Sequence, residues 1–185
     1  MFISPKVAIS EGWITGINDE ALQVQPNAID FTLDNLFAIN HMNLFVISED
    51  KADKQMRGGY PIEVANTDKA GKEFWTLSPN ETYDGLSNIR VNLPEGVACQ
   101  LIVRSTFNRN GIFLTSGLYD SGYEGNIGFA LHNRSGMASV QKGVRVGQII
   151  FVRSDSEGMY AGGWNHAEGT HWSEGENAAP DGVAH

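Results

Sequence analysis

Cysteine is almost absent from the sequence, and long apolar runs are missing. Cys99 is the single cysteine among 185 residues, so no disulfide can form within the chain, and zinc sites built from several thiolates are excluded. No run approaches the roughly 20 apolar residues of a membrane-spanning helix, and Pro5, Lys6 and Glu11 interrupt any signal-peptide pattern. We therefore expect a cytoplasmic protein that does not enter a membrane, with Cys99 buried in the apolar run GVACQLIV.

Basic residues are absent from the end of the chain. All 13 Lys and Arg lie at or before Arg153, whereas residues 154–185 carry six acidic side chains and account for most of the net charge of −9. A general nucleic-acid binder needs a cationic surface to displace counterions from phosphates, so we exclude that class. The length suits a single core. We expect one β domain over residues 1–153, followed by a flexible, acidic, Gly-rich arm over residues 154–185.

Short apolar runs separated by turn residues make up most of residues 13–153. Strand-length runs recur about every 8–12 residues, and 21 glycines supply turns, which favours an all-β sandwich or barrel with Greek-key or jelly-roll connections. A short helix is predicted after Ser4-Pro5, where Ser4 can cap and Pro5 suits the first turn, and Gly12 is a natural end.

Three strand predictions bear on the site. The segment VQPNAIDFTLDNLF alternates in hydrophobicity, which places Ile29, Phe31 and Leu33 on one face and Asp30 with Thr32 on the other. Residues 111–114 and 126–133 are predicted to form a strand pair. The run VRVGQIIFVR is predicted to be the last strand of the folded body, ending near residue 153.

The stretch RSTFNRNGIFLTSGLYDSGYEGNIGFALHNRSG, residues 104–136, concentrates polar chemistry between apolar runs. Arg104, Ser105 and Arg109 are suited to hold polyanionic oxygens, and the carboxylate of Asp120 is suited to position a water, with Tyr123 three residues later. Each residue also has an ordinary alternative. Arg-Ser is a common surface pair, an Asp in YDSG can initiate a turn, and a tyrosine between strands can be a core aromatic.

Four blocks carry a family resemblance. They are VQPNAIDFTLDNLF, RSTFNRNGI, SGLYDSGYEGNIGFALHN and GVRVGQIIF, and in this order they span most of residues 1–153. The first resembles an opening motif of dCTP deaminases, the second a phosphate-binding turn, and the third a motif of Gly-x-Ile-Asp followed by Tyr, Gly and a strand ending in Asn. Together they make the chain similar to the trimeric dUTPase and dCTP deaminase superfamily.

This resemblance implies a distorted jelly-roll β fold and a homotrimer with active sites between subunits. It also implies a deoxynucleoside triphosphate as substrate, with Mg²⁺ bound mainly through the phosphates, and release of a nucleotide product. For the phosphates, it implies contacts from Arg104 and Ser105, from Gln148 through its amide, and from Arg109, the second basic position of the deaminases. A Gln in a strand is otherwise often a solvent-facing residue.

For the rest of the substrate, the resemblance implies that Asp120 orients and deprotonates the attacking water. It implies that Tyr123 packs flat on the deoxyribose and leaves no room for a 2′-hydroxyl. The base would be read largely by backbone groups of the hairpin at residues 112–119.

Ala130 separates two chemistries. In the deaminases, the position three before the strand-ending Asn holds a glutamate that moves protons at cytosine without a metal, and Asn133 places Ala130 there. A methyl group cannot transfer protons, which disfavours deamination. The short segment 111–120 also resembles dUTPases.

The arm departs from the dUTPase pattern, because it contains glycines and Trp164 but no arginine. Trp164 can still cover the base, and Arg134 or Arg145 would have to supply an arginine. The sequence His166-Ala167-Glu168 imitates a zinc deaminase motif, but that chemistry also needs a Cys-x-x-Cys pair, and we discard it.

We therefore expect hydrolysis of a deoxynucleoside triphosphate, most simply dUTP, to monophosphate and pyrophosphate. The first alternative is a dCTP deaminase or a bifunctional relative, favoured by the front half of the chain and Arg109. The second is a nucleotide-binding relative without turnover, favoured by the arm that lacks arginine.

Overall fold

Antiparallel strands account for most of the ordered elements in the computed structural model, which describes residues 1–44, 46, 58–156 and 158–161. The strands are β1 (Phe2–Ile3), β2 (Ile14–Thr15), β3 (Ile29–Leu33), β4 (Asn35–Ile39), β5 (Gly59–Pro61), β6 (Asn66–Thr67), β7 (Glu73–Leu77), β8 (Thr82–Asn92), β9 (Val97–Val103), β10 (Ile112–Thr115), β11 (Glu124–Asn133), β12 (Ala138–Gln141) and β13 (Val144–Arg153). The helices are α1 (Pro5–Ser10), α2 (Glu20–Gln23) and α3 (Ser105–Arg109).

Within these residues the strands form three sheets. In the first, the long strand β13 pairs with β1, β3 and β9. The second has the order β10-β11-β8-β4-β5, with β2 also paired to β8, and the third has the order β12-β7-β6. The strand pairs are antiparallel, as expected of an all-β fold built from short runs and turns.

The core lies where the first two sheets face each other. Phe31 of β3 meets Phe129 of β11 edge to face, with ring centroids 5.1 Å apart. Two glycines make room for these rings. A Cβ on Gly147 would lie 2.3 Å from Cζ of Phe31, and a Cβ on Gly85 would lie 2.5 Å from Cε2 of Phe129. Strands β13 and β8 therefore need glycine at these two positions for the sheets to pack this closely.

The all-β class and the short N-terminal helix are confirmed. Helix α1 has Pro5 in its first turn and is followed by Gly12 at φ +71°, although the Ser4 side chain makes no capping hydrogen bond. The pair of strands predicted at 111–114 and 126–133 forms as β10 and β11. The prediction for β13 is confirmed at Val144–Arg153.

Cys99 is buried in the core as expected, and its burial raises the pKa of the thiol. In the part of the chain that the structure describes, none of the helices is long and apolar enough to cross a membrane. The proposed arm, residues 154–185, lies largely outside the described residues, and so does Trp164.

Two local expectations need correction. The pattern of β3 predicts one buried face, but all five of its residues are buried, including Asp30 and Thr32. Asp30 is accommodated because polar groups surround its carboxylate. The block RSTFNRNGI does not form a simple turn, since Ser105–Arg109 is a short helix with Phe107 buried beneath it.

Candidate active site

A cavity of about 490 Å³ opens beside the connection between β10 and β11. Its wall is formed by residues 115–119 of that connection, residues 128–130 of β11, and the side chains of Tyr123, Tyr160 and Asp84. We call it the tyrosine pocket. The connection is anchored to β9, because the backbones of Tyr119 and Cys99 exchange hydrogen bonds of 2.9 and 3.0 Å. The volume suits a ligand of nucleoside size.

Three tyrosine rings pack together at this pocket. The centroids of Tyr119 and Tyr123 are 4.9 Å apart, and those of Tyr123 and Tyr160 are 5.7 Å apart, both in edge-to-face geometry. The Tyr123 hydroxyl donates to the carbonyl of Asn126 at 2.9 Å, and burial raises the pKa of Tyr123 to about 12. Burial also raises the pKa of Tyr119. These phenols therefore stay neutral and present ring surface, which suits an apolar or planar ligand.

Tyr123 is a core aromatic that also borders the tyrosine pocket. Its side chain is buried and belongs to the hydrophobic core cluster, and it also lines the pocket. The Cβ that Gly125 lacks would lie 2.7 Å from the Tyr123 hydroxyl oxygen, so this glycine is needed for the ring to lie against β11.

A row of three paired residues crosses the floor of the pocket. The register places Thr115 of β10 opposite Ala130 of β11, and Ala130 opposite Asp84 of β8, and all three line the pocket. In the next row, His132 lies between two hydroxyls: its Nε2 is 2.9 Å from Thr115 Oγ1, and its Nδ1 is 3.0 Å from Thr82 Oγ1. Burial, with Arg134 nearby, lowers the pKa of His132, so this bridge is neutral.

Asp120 is exposed and lies next to the tyrosine pocket rather than in it. It lines a smaller cavity of about 210 Å³ together with Ser121, Ser154 and Tyr160, and Tyr160 also lines the larger pocket. The turn is closed by the Tyr123 amide, which donates to the Asp120 carbonyl at 3.0 Å. The ordinary alternative for Asp120, a turn residue, is therefore realised.

The phosphate-type residues assemble elsewhere, around a buried carboxylate. Asp30 Oδ2 lies 3.1 Å from Arg145 Nη1 and 3.4 Å from Arg104 Nε, and its Oδ1 accepts a hydrogen bond from Gln148 Nε2 at 2.9 Å. We call these four residues the Asp30 cluster. The two guanidinium groups outnumber the carboxylate, so the cluster keeps an excess positive charge beside a forked donor set, which suits an anion.

A β-bulge brings Arg145 and Gln148 to the same side of β13. Residues three apart on a regular strand point to opposite faces. In β13, Arg145 pairs with Thr32, but the next residue to pair is Gly147, opposite Phe31. Val146 is therefore an extra residue in this strand. After it, Gln148 pairs with Asp30. The bulge therefore aims both side chains at Asp30. Sequence alternation alone does not reveal this.

Gln23 of α2 connects the segment before this helix to the backbone of β3. Its Oε1 accepts hydrogen bonds from the amides of Asn18 and Asp19, at 2.9 and 3.0 Å, and its Nε2 donates to the Asp30 carbonyl at 3.0 Å. Gln23 is itself buried, so it fixes the backbone that carries the carboxylate.

Ser105 and Arg109 lie at the two ends of α3, and both are exposed. Ser105 follows Arg104 directly and is therefore adjacent to the Asp30 cluster. Arg109 lies roughly 6 Å further along the helix axis. Arg104 and Gln148 therefore meet at Asp30, with Ser105 next to Arg104 in the chain, and Arg109 lies at the periphery.

The two groups of residues are separated along β9. Asp120 follows Tyr119, which pairs with Cys99 near the start of β9, whereas Arg104 directly follows its end. The step of five residues from Cys99 to Arg104 corresponds to about 16 Å of extended strand. Within one chain, Asp120 and Tyr123 are therefore not brought together with Arg104, Ser105 and Gln148. Among the residues that the structure describes, no three His, Cys, Asp or Glu side chains form a group that could hold a metal ion.

Comparison with known proteins decides the family. A model of the dCTP deaminase-like family matches residues 6–154. The chain belongs to this family. A dUMP-forming dCTP deaminase from Sulfurihydrogenibium sp. is 26% identical over 166 residues, which cover 88% of each chain. A probable deoxyuridine 5′-triphosphate nucleotidohydrolase from Methanopyrus kandleri is 28% identical over 141 residues, which cover 76% of this chain and 86% of the relative.

The fold agrees with the family. The crystal structure of the 2′-deoxycytidine 5′-triphosphate deaminase from Agrobacterium tumefaciens superposes with a TM-score of 0.61 at 15% identity. The match covers 83% of this chain and 48% of that one, so the chain spans about half the length of that structure. The match to the dCTP deaminase-like family includes every candidate site residue except Tyr160 and Trp164.

Sequence reasoning missed three residues that the structure brings to these sites. The alternation of β3 places Asp30 on a strand face and predicts no role for it, although a carboxylate inside an apolar strand is itself a signal. Tyr160 follows the last strand and gives no local pattern. Asp84 lies in TYDGLSNIRVN, where nothing indicates that it is the neighbour of Ala130 in a dCTP deaminase-like fold.

Proposed function

We propose that this protein hydrolyses a pyrimidine deoxynucleoside triphosphate between its α and β phosphates. The observation that carries the proposal is the position of Asp120, an exposed carboxylate beside a pocket of nucleoside size. Asp120 takes a proton from a water whose oxygen attacks the α phosphorus. The bond to the oxygen that bridges to the β phosphate breaks, and the products are the deoxynucleoside monophosphate and pyrophosphate.

In this proposal the tyrosine pocket holds the nucleoside. The Tyr123 ring lies against the deoxyribose, where a 2′-hydroxyl would collide with it. Backbone groups of residues 115–119 contact the base, and Trp164 of the arm covers it. Because the phenol of Tyr123 is neutral and already donates to Asn126, it contributes shape rather than charge.

The Asp30 cluster holds the phosphates. Arg104 provides a forked cation, Ser105 a hydroxyl, and Gln148 an amide, while Arg109 lies at the periphery. Asp30 keeps both guanidinium groups in place before substrate binds, which lowers the entropic cost of binding. Because about 16 Å of β9 separates this cluster from Asp120, we propose that each site combines two chains of a homotrimer.

Mg²⁺ accompanies the substrate in this proposal, bound mainly through the phosphates. Phosphate oxygens and an exposed carboxylate such as Asp120 are the hard oxygen ligands that Mg²⁺ prefers, so these residues fit such an ion. The ion neutralises phosphate charge, and the chain's own groups orient the substrate and the water.

Deamination of dCTP is a second candidate, and Asp84 is the observation that favours it. This carboxylate lines the tyrosine pocket opposite Ala130, and a carboxylate can transfer protons where a methyl group cannot. The dUMP-forming dCTP deaminase among the relatives also supports this candidate.

A product assay tests both candidates. The purified protein with Mg²⁺ is given dUTP and dCTP in parallel, and pyrophosphate and ammonia are measured. We expect pyrophosphate, reduced about 10²- to 10⁴-fold in Asp120→Asn, and unchanged in the control Glu63→Gln, which alters an exposed carboxylate outside both sites. Ammonia from dCTP would establish the second candidate. Tight nucleotide binding without any product would contradict both and leave a binding protein.

A further inference from the structure

The pocket contains a carboxylate that the sequence did not assign to it. Asp84 lies on β8, and the β8–β11 register pairs it with Ala130 and the next residue, Gly85, with Phe129. A Cβ on Gly85 would press on the Phe129 ring in the core, so residue 85 faces inward. Because side chains alternate along a strand, Asp84 faces the opposite side, where Ala130 lies and where the pocket opens.

The distance between positions 84 and 130 is short. Directly opposed residues in an antiparallel pair have Cβ atoms about 5 Å apart. Asp84 and Ala130 both line the pocket, and the small Ala130 side chain leaves space beside position 84 that a longer residue at position 130 would fill. Thr115 extends the same row from the other side of Ala130.

Hydrogen bonds in the next row of the sheet hold the strands of the pocket floor together. His132 bridges Thr115 and Thr82, which ties β10, β11 and β8 together one row away from Asp84. Asp84 and Tyr119 both line the pocket, so the carboxylate shares the cavity with the tyrosine wall.

A carboxylate at this floor distinguishes bases by their exocyclic groups. An ionised carboxylate is an acceptor of hydrogen bonds without a donor. It pairs with the amino group of a cytosine-type base and opposes the carbonyl oxygen of a uracil-type base. Backbone amides and carbonyls of residues 115–119 offer both donors and acceptors, so they discriminate less.

We propose that Asp84 is a specificity-determining residue that accepts a hydrogen bond from the exocyclic amino group of the base. It supplies from β8 an acidic group that position 130 of β11 lacks. The pocket then prefers an amino-bearing pyrimidine to a uracil-type base. The inference rests on the proposed function in one respect, which is that the tyrosine pocket holds the base.

Binding of non-hydrolysable nucleotides tests this role separately from catalysis. Dissociation constants of α,β-imido dCTP and α,β-imido dUTP are measured by calorimetry on the full chain with Mg²⁺. Hydrogen bonds to charged groups contribute enough to predict a preference of about 10- to 100-fold for the cytosine analogue. In Asp84→Leu the two analogues should bind with nearly equal affinity. Asp84→Asn, whose amide can also donate to a carbonyl, should remove the preference as well.

Glu81→Gln is the matched control, since Glu81 precedes the same strand and is exposed. It should keep the wild-type ratio of the two affinities. A wild-type preference for the uracil analogue, or an unchanged ratio in Asp84→Leu, would overturn the proposal. A proportional loss of affinity for both analogues in Asp84→Leu would also overturn it, because that result indicates a structural role.

The outcomes separate this inference from the proposed function. Hydrolysis that persists with a base preference independent of Asp84 would remove the inference and leave the proposed function. Preferential binding of the cytosine analogue that depends on Asp84, without hydrolysis of either triphosphate, would support the inference and remove the proposed function.

Discussion

The tyrosine pocket and the Asp30 cluster lie near opposite ends of β9 and are built in different ways. The pocket is assembled mainly from one hairpin and its connection, with neutral rings and backbone groups. The cluster is assembled around the buried carboxylate of Asp30 from residues far along the chain, of which Arg145 and Gln148 are more than 100 positions away. The tyrosine pocket should therefore tolerate changes of charge but depend on its shape. The structure of the Asp30 cluster should depend on each of its charged residues.

The largest effect on activity should come from inactivating the two regions one at a time and then mixing the two variants. Asp120→Asn and Arg104→Gln should each lose most activity, because each removes one half of the proposed site. If the halves come from neighbouring subunits, a refolded equimolar mixture should regain activity at about a quarter of its sites, since each site draws its halves independently. Turnover of the mixture is compared with that of the separate variants. No recovery in a mixed trimer verified by mass would contradict a shared site.

Removing the centre of the cluster should cost stability. Asp30→Ala leaves Arg104 and Arg145 close together without their carboxylate and leaves Gln148 without its acceptor. Loss of one partner of a buried ion pair costs about 3–5 kcal/mol. Urea unfolding measures this free energy. The same measurement on Glu63→Gln should give a value close to the wild type, and an equally small effect for Asp30→Ala would show that the cluster is not coupled to folding.

A smaller effect is expected from packing behind the cluster. Gly147→Ala places a methyl group 2.3 Å from Cζ of Phe31, which has little room to move because it also packs on Phe129. Overpacking of this kind costs about 1–3 kcal/mol. Thermal unfolding should show the loss. Gly136→Ala is the control, because a Cβ there meets nothing within 4 Å.

The smallest effect on stability is expected at the tyrosine pocket, where it should depend on pH. Burial raises the pKa of Tyr123 to about 12 from its ordinary value near 10. A group whose folded pKa is raised contributes stability below the unfolded pKa, and that stability is lost as pH rises from about 10 towards 12. At pH 8, Tyr123→Phe should lower the free energy of unfolding by about 1 kcal/mol, because it removes the hydrogen bond to the Asn126 carbonyl. Only the wild type loses stability as pH rises through this range, so the difference between the two free energies of unfolding should be smaller at pH 11 than at pH 8. Urea unfolding at both pH values measures it, and an unchanged difference would contradict the raised pKa of Tyr123.

The hairpin side of the site was largely accessible from the sequence. The block SGLYDSGYEGNIGFALHN contains its turn residues, its tyrosines and its strand in one continuous segment, so local pattern was sufficient. This block singles out Tyr123 and Asp120 as candidates, and it predicts the β10–β11 pair within a few residues. Tyr160 was not found, because its place in the pocket depends on the path of the chain after β13.

The charged side was accessible only in part. Arg104 and Gln148 were recognised as individual residues, but their common partner Asp30 was not, because their meeting depends on the pairing of β13 with both β3 and β9. Helix α3 is too short for a helical period to be visible. Asp84 was missed because the β8–β11 register shifts between Asn126 and Gly128, so counting residues does not align the two strands.

The bulge in β13 has a consequence for changes in chain length. The extra residue at this point keeps Arg145 and Gln148 in phase across Asp30, so the number of residues between them matters as much as their identity. Deleting Val146 would restore a regular strand and turn Arg145 to the other face of the sheet. The cluster would lose a cation although its own four side chains were all still present, so the register of this strand is itself part of the candidate binding site.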